Sequence, residues 1–152
     1  MKRRVVYGQT EGRTDELCQW AAAILCPGQT FPHDTHAIAS EVDGEIAAVT
    51  LWNSFDDYNC LMSIASDGSR RWMTREFLYR SFAYPFVQLG LPRVTVKIDE
   101  DNLESVKLGV HLGFQFEGSM RKAAPGGRRE IIMGLLKEEC RWIDLGLAKH
   151  AA

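Results

Sequence analysis

The chain has 152 residues, with 18 Lys+Arg against 20 Asp+Glu for a formal charge of −2, 45% apolar and 25% charged. This is the composition of a soluble globular protein with enough chain to bury a core, and it predicts a single domain over 1–152. It gives no global charge for nucleic acid and no apolar run near the ~20 residues of a membrane span.

Val5 to Tyr7 begins as a short strand, after the basic start MKRRVV that lacks the apolar stretch of a signal peptide. Thr14 is in place to cap a helix carrying Leu17, Trp20, Ala21, Ile24 and Leu25 at helical spacing, ended by Pro27-Gly28. After the polar loop GQTFPHDTH, Ala37–Val42 and Glu45–Trp52 flank Asp43-Gly44, a strong hairpin signal. Cys60 to Ala65 is a strand bounded by Ser66-Asp67-Gly68.

From Arg70 to Leu89 the period changes. Leu78, Phe82, Phe86 and Leu89 share one helical face, and Pro85 should kink the helix or shorten its last turn. Arg93 to Ile98 alternates as a strand, and Asn102 or a neighbour opens a helix that runs through Leu112 and ends at Gly113. Phe114–Met120 and Ile131–Leu136 are strands joined by the hairpin KAAPGGRR. The order is β-α-β-β-β-α-β-α-β-β: an α/β (α+β) class with a mixed central sheet flanked by helices, and a right-handed crossover making the strands at Cys60 and Ile98 parallel.

The four cysteines, Cys18, Cys26, Cys60 and Cys140, form no C-x-x-C pair, and no His lies at zinc-finger spacing from them. Free thiols, no disulfide, no metal and a cytoplasmic location are the expectation.

Three strings then carry a resemblance. NLESVKLGVHLGFQFEG, from Asn102 to Gly118, resembles the N-x-x-S/A…L-G-F-x-x-E-G signature of the GNAT superfamily of N-acyltransferases; FVQLGLPRVTV and EIIMGLLKEE resemble the family's helix-to-strand passage and closing strand. The segments REFLYRSFAYPFVQLG and ECRW are also similar to small members encoded in bacteriophage genomes. The resemblance covers about half of the chain and implies a GNAT-like acyl-CoA-binding domain. The implied activity is acetyl-CoA-dependent N-acetyl transfer to an amine of a protein or small molecule, by direct attack on the thioester and without metal. A homodimer is left open, as is the alternative of a catalytically inactive GNAT-fold module that binds acyl-CoA or a protein partner.

The family pattern Q/R-x-x-G-x-G/A, whose backbone N–H groups and following helix N-terminus face the pyrophosphate, falls on Ser69, Arg70, Arg71, Trp72, Met73 and Thr74. Trp72 and Thr74 stand where the family has glycines. This implies a shifted loop that turns at Gly68, or weakened CoA binding that the two arginines offset, or a solvated helix start with Trp72 in the core. Asn102 and Ser105 are implied contacts of the pantetheine arm, or a helix cap alone. Met62, Ser63 and Ile64 are implied neighbours of the thioester.

The family's thiolate-protonating tyrosine falls on Gly109, so the usual acid is missing. Asp57 and Tyr58, in the Asp56-Asp57-Tyr58 cluster, are the catalytic candidates, with Glu41 a further base and His111 more in keeping with a surface residue. Arg121, Lys122, Arg128 and Arg129 either meet an acidic acceptor or solvate the hairpin.

Overall fold

The computed structural model describes residues 1–144; residues 145–152, the end of the domain expected over 1–152, lie outside the described residues. In chain order the elements are β1 (Arg3–Tyr7), α1 (Gly8–Glu11), α2 (Thr14–Leu25), β2 (His36–Val42), β3 (Glu45–Asn53), β4 (Leu61–Ser66), α3 (Arg75–Ala83), β5 (Arg93–Asp99), α4 (Leu103–Leu112), β6 (Gln115–Met120) and β7 (Glu130–Leu136). This is the expected order with one short helix, α1, added after β1.

The strands form one mixed sheet in the order β1-β2-β3-β4-β5-β7-β6. Asp43 and Gly44 both take positive φ, 52° and 83°, so β2 turns into β3 through two residues, as the Asp-Gly pair demands. β3 is buried on both faces. Its odd residues Val49 and Leu51 join Leu17 and Ala21 of α2, while Ala48 and Trp52 join Phe77 and Phe82 of α3 and Leu112 of α4. Thus α2 covers one face, and α3 and α4 cover the other. Thr50, on the α3 side, is fully buried, and its hydroxyl lies 3.1 Å from that of Ser81.

Two helix starts differ from expectation. Thr14 is the first residue of α2, not its cap; Arg13 occupies the cap position, its side chain pairing with Glu16 and capping no backbone N–H. The helix expected from Arg70 begins only at Arg75. Trp72 is 3% exposed within the α3-side core, and its indole N–H donates to the Ser69 carbonyl at 2.8 Å, which fixes a turn in place of a first helical turn. Thr74 then caps α3, its hydroxyl accepting from Phe77 N–H at 3.1 Å.

Pro85 acts as expected, through a π-helical turn at Tyr84–Gln88 in which Leu89 N–H reaches back to Tyr84 C=O. The extra residue in that turn shifts the helical phase. Leu89, expected on the buried face, is 42% exposed, and Leu91 packs into the core instead.

Strands β4 and β5 are parallel and paired in register only at Leu61↔Thr95, with Thr95 N–H donating to Cys60 C=O at 2.9 Å. That contact is bolted from the α2 side. Asn59 Oδ1 accepts from Thr95 Oγ1 at 2.8 Å and from Arg93 Nε, and Arg93 donates to Glu117 at 2.8 Å. Beyond Leu61 the two strands part.

Candidate functional site

The parting of β4 and β5 opens a cavity of about 310 Å³, lined by Met62, Ser63 and Ile64 on one strand and Val96 to Asp99 on the other. Asn102, Ser105, Leu108, Gly109 and Leu112 of α4 close one side, with Leu25, Cys26 and Phe31 at the end of α2 on the other. The cavity therefore passes through the sheet.

Strand geometry makes the two sides chemically unlike. On β5, Val94 and Val96 belong to the α3/α4-side core, so Thr95, Lys97 and Asp99 face the α2 side. The wall towards α4 is apolar, apart from Asn102 and Ser105 at its rim.

Main-chain groups alternate in the other direction. The Thr95 N–H to Cys60 C=O bond fixes the even residues of β4 as those that turn towards β5. Past the single paired register, Met62 C=O and both main-chain groups of Ile64 consequently face the gap. A strand edge inside a cavity supplies donors and acceptors for an extended ligand laid along it.

Of the sequence-predicted residues, the structure brings Met62, Ser63, Ile64, Asn102 and Ser105 together around this one cavity. Asn102 is also the α4 cap, accepting from Ser105 N–H at 3.2 Å, and Gly113 closes the helix at φ 108°.

Ser69 to Thr74 lie between β4 and α3, outside the lining. Trp72 is core, Met73 packs against that core, and Thr74 is a cap. Arg71 is held by Asp67 at 2.9 Å, while Arg70 is exposed and forms no ion pair among the described residues. Asp67 organises this turn through Ser69 N–H at 2.9 Å, the Ser69 hydroxyl and Arg71. Desolvation pushes its carboxyl up, but these donors outweigh it and hold it below the usual range.

Asp57 and Tyr58 are exposed in the loop at the closed end of the strand pair, before Leu61, and neither lines the cavity. Glu41 is ruled out as a free base by its setting: it is 9% exposed and ion-paired to Arg4 at 3.3 Å and Arg13 at 2.9 Å. His111 is a surface residue, its ring 6.0 Å from that of Trp142. Arg128, expected on a solvated hairpin or facing an acceptor, makes a two-pronged pair with Asp99 at 2.7 and 2.9 Å. That guanidinium, with the Asp101 N–H, lowers the Asp99 carboxyl to about 2.

All four cysteines are free, Cys60 and Cys140 buried. Burial, and then the charge of Asp56, push the Cys60 thiol up to about 12, which keeps it a protonated core residue. Among the described residues no group of three or more His, Cys, Asp or Glu could hold a metal, and no helix is long and apolar enough to cross a membrane.

Gly109 lines the cavity, and a Cβ there would sit 3.3 Å from Met133 Sδ. Where the resemblance expects a tyrosine, the wall is bare backbone. Lys97, Asp99, Cys26 and Phe31 line the cavity without a site role expected from the sequence. The alternation Val94-Thr95-Val96-Lys97-Ile98-Asp99 held the signal for the first two, since a strand polar at every second residue has one uncovered face.

No protein-family model and no curated protein matches the sequence. Solved structures do. A GNAT-family acetyltransferase from Streptococcus pneumoniae superposes with a TM-score of 0.69 at 15% identity, over 89% of this chain and 99% of that one. The spermidine/spermine N-acetyltransferase SpeG from Vibrio cholerae, in mutant forms, gives a TM-score of 0.69 at 11% identity, over 95% and 99%. A Salmonella typhimurium protein assigned as an acetyltransferase, solved with its cofactor acetyl-CoA, gives 0.67 at 17% identity, over 91% and 96%. With its parted β4 and β5 strands and this element order, the chain has the fold of the GNAT-family acetyltransferases.

Proposed function

We propose that the protein is an acetyl-CoA-dependent N-acetyltransferase whose pantetheine arm lies in the cavity between β4 and β5. The observation that carries the proposal is the unpaired edge of β4 past Leu61, inside a cavity walled by apolar side chains and rimmed by Asn102 and Ser105. A pantetheine arm is an extended chain with two amides, which such an edge binds as a further strand would. The fold shared with a structure that holds acetyl-CoA supports the same placement.

In this reading the acceptor nitrogen attacks the thioester carbonyl carbon from the α2 side. The Ile64 N–H is the donor to the developing oxyanion, a main-chain dipole already oriented before reaction. The C–S bond then breaks, the amide forms, and the leaving thiolate takes a proton. With Gly109 carrying no acid and Asp99 held ionised by Arg128, water in the open cavity both accepts the amine proton and supplies the thiolate proton. Asp57 and Tyr58, outside the cavity lining, move no proton in this scheme: Asp57→Asn and Tyr58→Phe are expected to leave kcat within about twofold, far from the 10²–10⁴ that loss of a general acid or base costs.

The pyrophosphate belongs with the turn before α3, where Arg70 is the unengaged cation and Arg71 is spent on Asp67. Calorimetric titration with acetyl-CoA tests the assignment. Saturable binding is expected, weakened about fivefold by Arg70→Ala, as befits the ~1 kcal/mol of one exposed charge contact. Absence of binding at millimolar ligand sinks the proposal.

A further inference from the structure

The acetyltransferase reading leaves the acceptor open, and the α2-side mouth of the cavity narrows it. Two charged side chains line this mouth, Lys97 and Asp99. They are not equivalent. Asp99 is engaged by the two-pronged Arg128 pair, which Asp101 shares at 3.3 Å, and by the Asp101 N–H. Lys97 is exposed, and its ammonium makes no hydrogen bond or ion pair among the described residues. Beyond the lining, Glu117 on β6 is taken by Arg93 at 2.8 Å, and Glu130 stands opposite Asp99 on β7, outside the cavity. Among the residues that line the cavity the unpaired charge is therefore one cation, next to the apolar wall of Leu25 and Phe31.

We infer that the acceptor is an amine bearing a carboxylate on the same molecule, with the carboxylate paired to Lys97 and the amine directed at the thioester. This inference rests on the acetyltransferase reading and specifies its second substrate. A fixed ammonium beside the site has two effects of the same sign. It attracts the carboxylate, and it lowers the pKa of the approaching amine, which raises the neutral, nucleophilic fraction. A polyamine meets the opposite field, since its second ammonium finds no unengaged carboxylate among the lining residues to receive it. The likeness to a spermidine/spermine acetyltransferase is thus one of fold, and the charge at this mouth argues for a different acceptor class.

Three five-carbon amines of near-equal basicity test the inference: 5-aminopentanoate, pentylamine and 1,5-diaminopentane, each assayed for release of CoA thiol from acetyl-CoA. The expected order of kcat/KM is aminopentanoate, then pentylamine, then the diamine, with roughly tenfold (about 1.4 kcal/mol) between first and last. Lys97→Ala should bring the three together, and Lys97→Glu should invert the order. Acetyl-CoA affinity, measured by calorimetry on the same preparations, should stay unchanged in both variants. Equal rates, a preference for the diamine, or no transfer to aminopentanoate overturns the acceptor assignment while bound acetyl-CoA leaves the function standing. If the unmodified protein fails to bind acetyl-CoA, the function itself falls and the acceptor assignment falls with it.

Discussion

The two helices that follow β4 and β5 begin with the same device and were read from sequence with opposite success. At α4, Asn102 accepts from Ser105 N–H, three residues on; at α3, Thr74 accepts from Phe77 N–H, also three residues on. Asn102 caps in the position where the sequence puts it, and it also lines the cavity. Thr74 caps a helix that starts five residues late, because Trp72 leaves the helical path to enter the core. Local capping chemistry decides a helix start only when no large apolar side chain just before it has a better place to go.

The sharpest way to break this comparison is Trp72→Ala. Removing a buried indole and its 2.8 Å bond to Ser69 should cost about 3–5 kcal/mol in denaturant unfolding. A loss below ~1 kcal/mol would mean that the turn before α3 does not depend on its anchor. Next in size, Thr74→Ala and Asn102→Ala should each cost about 1 kcal/mol, the usual worth of a cap. Only Asn102→Ala should also weaken acetyl-CoA binding; equal effects on binding would put both helix starts at the ligand.

The smallest effect is a pH dependence. Asp99 has its carboxyl lowered to about 2 by Arg128, below the ~3.9 of an unfolded aspartate. A group depressed in the folded state stabilises fully above its unfolded value and loses that contribution as pH falls from about 4 to 2. Asp67 is depressed in the same sense. Melting temperature followed from pH 5 to pH 2 should therefore fall less steeply in Asp99→Asn than in the unmodified protein. Both carboxylates keep partial contact with solvent, so the difference in slope should be small and should shrink with added salt.

Legibility divided along similar lines at the site. Met62, Ser63, Ile64, Asn102 and Ser105 were all named before the fold was known, and the cavity gathers the five. Their signal was the family resemblance carried by the string from Asn102 to Gly118 and by the place of the Cys60 strand in the element order. Glu41 looked like an available carboxylate, yet two arginines from the β1–α2 region enclose it. Arg128 looked like a free hairpin cation, yet it folds back onto Asp99 at the end of β5, 29 residues earlier in the chain. Neither pairing has a sequence period. Leu89 failed for a different reason: one extra residue in the Pro85 turn rotates everything after it, and no apolar spacing records a change from α to π winding.

By itself, the sequence determined the order of elements, the Asp43-Gly44 hairpin, the Asn102-to-Gly113 helix and the alternation of β5. Each depends on interactions within a few residues: turn conformation, capping and side-chain period. The tertiary structure alone decided which residues share the cavity, which charges are spent on one another, and that Lys97 is the unpaired cation of the cavity lining. Those outcomes depend on where β4 and β5 stop pairing and on which distant arginine reaches which carboxylate. Such contacts are fixed by packing across the sheet, which nearest-neighbour chemistry does not encode.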